Sequence, residues 1–333
     1  MKTIYNMIQK FTNGKKHIKF TIGFVSNGKT NIQVFGEQGE IKDSPTLYYE
    51  IGSITKTFTG SLLAKYIYEK KMTLNDSIQT YINSLPTGYY PTLKRLATHT
   101  SGYSALLPFT ISDFLKTFIG FLINGGIKNN PIANKIDQKE MIKIIGSLDL
   151  KDKDYPYRYS NFGYGIIGYI LGMVSKRSYW DTMNEFIKND LGLNDTYLGI
   201  NPNKNIYGYD RWNKKFGNWL WNDNDLFAAA GGISSTGKDL LRYAQLNMLE
   251  EKPYLSLCYN KYANATKKED IGLGWDLPIN SKIVCKDGGT GFFSSFVGFD
   301  TDKKNIVVVL SNYICFSIKK IGNSLLKYLA NGG

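Results

Sequence analysis

The sequence predicts a fold of the α/β (α+β) class: an antiparallel sheet built from both chain termini, flanked by helices, with an inserted, mainly helical lobe. Three observations predict it. Residues 17–35 near the start and 282–311 near the end carry β-branched and aromatic residues in strand-like runs, and the stretch between them is helical in period and rich in loops. Neither an internal repeat nor a low-complexity linker divides the 333 residues. The expected organisation is one domain over 1–333, with residues 1–70 and 226–333 forming a sheet lobe and residues 71–225 a mainly helical lobe.

The first elements are the clearest. Ile18, Phe20, Ile22 and Phe24 alternate, as do Thr30, Ile32 and Val34, and Asn27-Gly28 between them is the strongest short hairpin signal. A second turn follows at Gly36–Gly39. Beyond Leu47–Ile51, the residues Ile54, Phe58, Leu62 and Tyr66 recur four apart, with Leu63 and Ile67 widening the stripe, and no proline interrupts Ser53–Lys70. That is a helix. Positions three apart share a helix face, so Ser53 and Lys56 meet one turn apart near its N-terminus. Free N–H groups and the positive end of the helix dipole favour an oxyanion there, and a lysine can polarise or deprotonate the hydroxyl.

Leu74–Leu85 reads as helical with Asp76 as its N-cap, and the stretch from Pro91 ends in Thr98-His99-Thr100-Ser101-Gly102. His99 is a candidate base, although a histidine between small hydroxyl residues in a turn is more often a structural hydrogen-bonder. Phe109–Ile127 is either an amphipathic lid over a site or a helix packed in the core or between lobes, the role its composition favours. Pro156-Tyr157-Arg158-Tyr159-Ser160-Asn161 leads into a glycine-spaced apolar helix, Phe162–Val174. Residues 201–225, with Tyr207, Tyr209, Trp212, Phe216, Trp219 and Trp221, either line a cleft or form a surface Ω-type loop. After residues 228–235 a helix is expected over Gly237–Glu250, with Asp239 in its first turn. Strands follow at Lys282–Cys285, Phe293–Phe299 and Asn305–Ser311, and a last helix at Ser317–Ala330.

Composition narrows the classes of function. A hydrophobic share of 42% is ordinary for a globular chain. The net charge of +13 comes from lysines standing singly or in pairs, without a basic block or nucleic-acid motif. It implies a solvated basic surface and at most weak attraction to an anionic wall or membrane, not a nucleic-acid partner. Three cysteines without C-x-x-C spacing suggest neither a disulfide framework nor zinc, and two histidines exclude a histidine-rich metal site. No metal or cofactor is expected. Met1–Phe11 lacks an uninterrupted apolar core, and 106–127 is broken by Pro108, Asp113, Lys116 and three glycines. The expectation is therefore no signal peptide, no transmembrane span and a cytoplasmic location, or an extracytoplasmic one if the native start differs.

Three short motifs stand in order: Ser53-Ile54-Thr55-Lys56, Tyr159-Ser160-Asn161 and Lys286-Asp287-Gly288. Together they resemble the penicillin-recognising serine hydrolases, in particular the class C β-lactamase-like branch of β-lactamases, carboxypeptidases, D-aminopeptidases and esterases. Leu74-Asn75-Asp76, residues 96–102, Gly208-Tyr209-Asp210, Ala230-Gly231-Gly232, Gly272-Leu273-Gly274-Trp275 and Val309-Leu310-Ser311-Asn312 resemble the same branch, so the likeness runs from about Ile22 onward. The resemblance implies a β-lactamase/transpeptidase-like fold and an acyl-enzyme on Ser53, with Lys56 and Tyr159 sharing the proton work. It implies that Asn161, Lys286, Asp287 and Gly288 border the substrate, and that the backbone N–H groups of Ser53 and Gly289 form the oxyanion hole. A phenolate at neutral pH needs about 4 kcal/mol, because tyrosine ionises near ~10; Lys56 and Lys286 on either side of Tyr159 are the expected source.

One departure bears on the substrate. Where the strict penicillin-binding pattern has a hydroxyl residue, this chain has Asp287, and an ionised aspartate there repels a substrate carboxylate unless it turns away or pairs with a cation. The expected activity is hydrolysis of a small amide or ester, in a D-amino-acid-containing peptide or a carboxylic ester. A β-lactamase, a D-Ala-D-Ala carboxypeptidase, or a penicillin-binding sensor that acylates without turnover is the alternative.

Overall fold

Asn27 and Gly28 both take positive φ, 50° and 72°, the backbone that a tight two-residue hairpin turn requires. They join β1 (Phe20–Ser26) to β2 (Lys29–Gly36), preceded by helix α1 (Lys2–Thr12) and followed by the short β3 (Gly39–Glu40). The computed structural model describes residues 2–42, 46–104, 107–133, 135–201 and 203–332. After β4 (Tyr49–Glu50), a single 3-10 turn at Gly52–Ile54 opens into α2 (Thr55–Tyr68). The helical region then holds α3 (Leu93–Ala97), α4 (Ile111–Asn124), α5 (Gln138–Gly146), α6 (Asn161–Ser175) and α7 (Tyr179–Glu185). Short strands β5 (Tyr197–Leu198), β6 (Gly208–Tyr209) and β7 (Lys215–Phe216) precede α8 (Ala228–Gly231), β8 (Ile233–Ser235) and α9 (Gly237–Met248). The chain closes with β9 (Ala263–Asn264), β10 (Glu269–Ile271), β11 (Asp276–Pro278), β12 (Ile283–Gly289), β13 (Ser294–Asp300), β14 (Ile306–Ser311) and α10 (Ile318–Ala330).

The main sheet has nine strands in the order β3-β2-β1-β14-β13-β12-β11-β10-β9, paired antiparallel throughout. β1 from the start of the chain lies beside β14 from its end, with Ile22 opposite Val309. Alternate residues of the central strands fill two cores. Phe20, Ile22, Cys285, Phe296 and Val309 pack with Ile318, Ile321 and Leu326 of α10. Val297, Phe299, Val308 and Leu310 face the larger core, which runs through α2 and α9 into the helical region.

Helix α2 is buried almost all round, not along one stripe: Ile54, Phe58, Leu62 and Tyr66 are buried as expected, and so are Thr57, Thr59 and Ser61. The buried hydroxyls are satisfied. Thr57 donates to Ile54 O at 2.8 Å, Thr59 to Ala229 O at 2.7 Å, and Ser61 shares a 2.9 Å hydrogen bond with Tyr243 OH.

Two expectations are corrected. Leu74–Leu85 contains only a 3-10 turn, Ile78–Thr80, capped by Ser77, and Asp76 caps no helix: its carboxylate accepts from the N–H and the hydroxyl of Thr73, both at 2.7 Å. Asn75, Asp76 and Ser77 in succession offer the backbone local partners that compete with a helix. Over 109–127 the helix forms as α4, but Ile111, Leu115, Phe118, Ile119, Leu122 and Ile123 of its apolar stripe are turned to solvent, away from the core. No helix among the described residues is long and apolar enough to cross a membrane.

Candidate active site

Ser53 sits where the 3-10 turn before α2 backs onto the end of β12, and the approach is too close for side chains. A Cβ on Gly288 would stand 2.2 Å from Ile51 O and 2.9 Å from Ser53 N; one on Gly52, at φ 50°, would stand 2.5 Å from Gly289 O. Ser295 on β13 fastens the seam by donating to Ile51 O at 2.8 Å. The seam brings the backbones at Ser53 and Gly289 to the same opening, where both line the clefts on either side of the serine.

One turn along α2, the Lys56 amine is buried among three oxygen atoms: Asn161 Oδ1 at 2.8 Å, Ala230 O at 2.7 Å and Ser53 Oγ at 3.3 Å. Burial first, and then repulsion from Lys286, hold its pKa well below the usual lysine value. Tyr159 donates its hydroxyl hydrogen to Ser53 Oγ at 2.7 Å. Its ring lies 4.7 Å from the Lys56 amine and 5.4 Å from that of Lys286. Asn161 opens α6, whose N-cap Ser160 accepts from Gly163 N at 3.1 Å. The spacing Tyr159-Ser160-Asn161 thus points the tyrosine at the nucleophile and the amide at Lys56.

His99 holds this loop. At φ 60° its carbonyl accepts from Arg158 N at 2.8 Å and its Nδ1 from Ser160 N at 3.1 Å. Burial, with help from Lys286 and Lys56, pushes its pKa well below the usual histidine value, in keeping with a neutral ring that accepts at Nδ1. It makes no hydrogen bond to Ser53. Of the two roles open to it in the sequence, the geometry is that of the structural hydrogen-bonder.

Of the groups the sequence left open as base, a Tyr159 phenolate is not favoured in this geometry. Burial raises the Tyr159 pKa, and Lys286 offsets only part of that. Lys286 is itself engaged: its ammonium donates to Asp276 Oδ1 at 2.9 Å, while the other oxygen of Asp276 takes Lys319 at 2.8 Å. Lys319 also reaches Glu269 at 2.7 Å and Asp287 at 3.6 Å. Burial works hardest against the Lys286 charge, but Asp276, Tyr159 and Tyr157 together outweigh it and raise the pKa well above the usual value; burial likewise opposes Asp276, whose pKa the two lysines lower. Asp287 lies on the strand face of Cys285, opposite that of Lys286 and Gly288, and pairs with Lys319. All of these groups line one charged cleft of about 330 Å³ beside Ser53, Tyr157 and Tyr159.

A second cleft, of about 260 Å³, opens on the other side of Ser53 between Asn161 and Gly289 and is walled by Phe109, Ile127, Trp219 and Trp221. The aromatic segment therefore lines the cleft, and it is also anchored as a loop: the Trp219 indole donates to Ile127 O at 2.9 Å, and Phe216 stacks on Phe292 at 4.2 Å. Asp276, Lys319, Glu269 and the Ala230 carbonyl were not singled out from the sequence. Asp276 directly follows the Gly272–Trp275 stretch, but nothing local marks Lys319 or Glu269.

The beta-lactamase family model matches residues 21–313. A beta-lactamase of Providencia stuartii is 30% identical over 229 residues, 67% of this chain and 53% of that protein. Protein flp of Staphylococcus aureus (strain MRSA252) is 24% identical over 338 residues, 93% of this chain and 62% of that one. The chain therefore spans little more than half the length of these curated relatives. Among solved structures, a class C beta lactamase superposes with a TM-score of 0.79 at 21% identity, over 100% of this chain and 97% of that one. The octameric penicillin-binding protein homologue from Pyrococcus abyssi gives 0.77 at 22%, over 99% and 77%. The large antiparallel sheet flanked by helices is the β-lactamase/transpeptidase fold.

Proposed function

The chain belongs to the beta-lactamase family, and from that premise and the geometry around Ser53 we propose that it is a serine hydrolase acting on a small amide or ester through an acyl-Ser53 intermediate. The observation that carries the reading is the convergence of Tyr159 OH at 2.7 Å and the Lys56 amine at 3.3 Å on Ser53 Oγ. A neutral Lys56 amine has two hydrogens and one lone pair. The hydrogens go to Asn161 and Ala230, leaving the lone pair for the Ser53 proton. Tyr159, kept protonated by burial, then serves as the acid.

In the acylation step Oγ bonds to the substrate carbonyl carbon, its proton passes to Lys56, and the carbonyl oxygen becomes an oxyanion between the N–H groups of Ser53 and Gly289. Removing one such donor typically raises a barrier by about 3 kcal/mol. The bond to the leaving atom breaks as Tyr159 hands over its proton, and the proton held by Lys56 restores the tyrosine. Water repeats the sequence in reverse and frees the acid.

Tyr159 lines the charged cleft and not the aromatic one, so the leaving group lies on the charged side and the acyl group among Phe109, Ile127, Trp219 and Trp221. Both lysines that line the leaving side are already ion-paired with acids, so neither is free for a substrate carboxylate. This supports a carboxylic ester or a D-amino-acid-containing peptide over a β-lactam or a D-Ala-D-Ala terminus. The test is intact-protein mass spectrometry after exposure to p-nitrophenyl acetate and, separately, to a fluorescent penicillin, with Ser53→Ala as control. Steady ester turnover without a penicillin adduct is expected. A lasting penicillin adduct on Ser53 would replace this reading with a penicillin-binding peptidase or sensor, and turnover by Ser53→Ala would end it.

A further inference from the structure

Helix α4 is built inside out. Ile111, Leu115, Phe118, Ile119, Leu122 and Ile123 recur at helical spacing and so share one face, and all are exposed, from 48% at Phe118 to 74% at Ile111. Two polar residues look inward instead: Asp113 meets Lys135 at 2.8 Å, and Thr117 borders the aromatic cleft. A capping box at Thr110 and Asp113 and the left-handed Gly125 close the two ends, so a capped helix displays the stripe. Phe316, 85% exposed, extends the patch beside Phe121, at a ring separation of 6.0 Å.

The rim is cationic and carries an indole. Lys116 and Lys128 are exposed on and just beyond the helix. Arg211 donates to Leu122 O at 2.7 Å and lies 4.3 Å from the ring of Trp212, which is 59% exposed. Lys15 shares a crevice with Phe121, Arg211 and Phe316. The single acid of the helix, Asp113, is neutralised by Lys135.

We propose that this face docks on an anionic lipid bilayer. A contiguous apolar face of this kind is rare on a free monomer, and apolar residues with a Lys/Arg and tryptophan rim are the pattern of helices that lie in a membrane interface. The 14 residues of α4 rise ~21 Å at ~1.5 Å each, short of the ~30 Å of a hydrocarbon core, so the helix lies on the bilayer and does not cross it. A second copy fits worse, because two such faces would bring like-charged rims together. Phe109 and Ile127, at the two ends of α4, wall the aromatic cleft, so docking brings the mouth of that cleft to the bilayer surface.

Co-sedimentation of the whole chain with vesicles tests the proposal. The wild type and Ser53→Ala are expected to bind phosphatidylglycerol-containing vesicles equally, at least ~tenfold more tightly than pure phosphatidylcholine, and to release as salt shortens the screening length from ~10 Å. Equal binding by Ser53→Ala separates docking from the hydrolase reading, so each stands or falls alone. Leu115→Ser/Ile119→Ser/Leu122→Ser, at exposed positions, is expected to keep its melting temperature and lose binding. Lys116→Glu/Lys128→Glu is expected to lose the preference for anionic lipid. The proposal is overturned if the wild type ignores anionic vesicles, if the triple serine variant binds as well as the wild type, or if sedimentation velocity shows a dimer that the same variant dissolves.

Discussion

The two clefts that meet at Ser53 are built from opposite chemistry. On one side Phe109, Ile127, Trp219 and Trp221 form an apolar wall; on the other, Glu269, Asp276 and Asp287 line the cleft together with Lys286 and Lys319. The apolar cleft can discriminate only by shape and area, so its selectivity is broad. The charged cleft discriminates by which of its ions remain free, and here the pairing of Lys286 and Lys319 with Asp276 closes both. On the proposed hydrolase reading, the difference places substrate selection on the leaving-group side and tolerance on the acyl side.

The largest expected effect removes the element common to both clefts. Lys56→Ala takes away the proposed acceptor for the Ser53 proton, and acylation by any ester is expected to fall ~10³-fold or more with the far-ultraviolet spectrum unchanged; normal burst kinetics in this variant would remove Lys56 from the mechanism. The next effect belongs to the apolar side alone. Glu50 lies buried beneath it, its Oε1 accepting from Trp219 N at 3.1 Å, and burial raises its pKa from 4.5 to about 7. Between those values the folded state binds the extra proton, so this contribution to stability is present at low pH and lost as pH rises through about 7. The amount is roughly 3 kcal/mol, and urea titrations across that range are expected to lose it in Glu50→Gln. An unchanged pH dependence in the variant would show that Glu50 is not the group responsible.

The charged side is opened by Asp276→Asn, which releases Lys286 toward a substrate carboxylate while Lys319 keeps Glu269. Penicillin acylation is expected to rise about tenfold, with a lower melting temperature because the buried Lys286 ammonium loses its partner; no gain in acylation would mean that charge pairing is not what excludes carboxylates. Trp221→Ala is expected to lower kcat/KM about tenfold for aromatic acyl esters and hardly at all for acetyl esters. Equal losses would place the acyl group elsewhere. The smallest change is Asp287→Thr. With its carboxylate on the strand face away from Lys286 and paired to Lys319 at 3.6 Å, its replacement is expected to raise penicillin reactivity only about twofold; an effect larger than that of Asp276→Asn would return selection to Asp287.

What the sequence disclosed was local or periodic. The Asn27-Gly28 hairpin, the helix that places Lys56 one turn from Ser53 and the cap that orients Tyr159 and Asn161 depend on neighbours within a few residues. Strand-like runs at both ends gave the sheet its composition from the two termini. The charged network is of another kind: Asp276 meets Lys286 because β11 pairs with β12 only at Asp276 opposite Cys285, and Lys319 joins from the far helix α10. Register and helix docking decide that contact, and no spacing along the chain encodes either. The periodicity of residues 111–124 revealed an apolar stripe but not its direction. In the same way alternation along β12 put Asp287 on one face or the other, and the neighbouring sheet decided which.

The seam between Gly52 and Gly288 gives the protein a particular mutational profile. In a library of all single substitutions, both positions would retain glycine alone, since even a methyl group would drive β12 from the nucleophile turn by more than the packing can absorb. Ser53, by contrast, can be replaced with alanine while the architecture persists. Selection for folding and selection for chemistry would therefore leave different marks on adjacent residues, and a stability screen set beside an activity screen would tell the hinge of the site from its nucleophile.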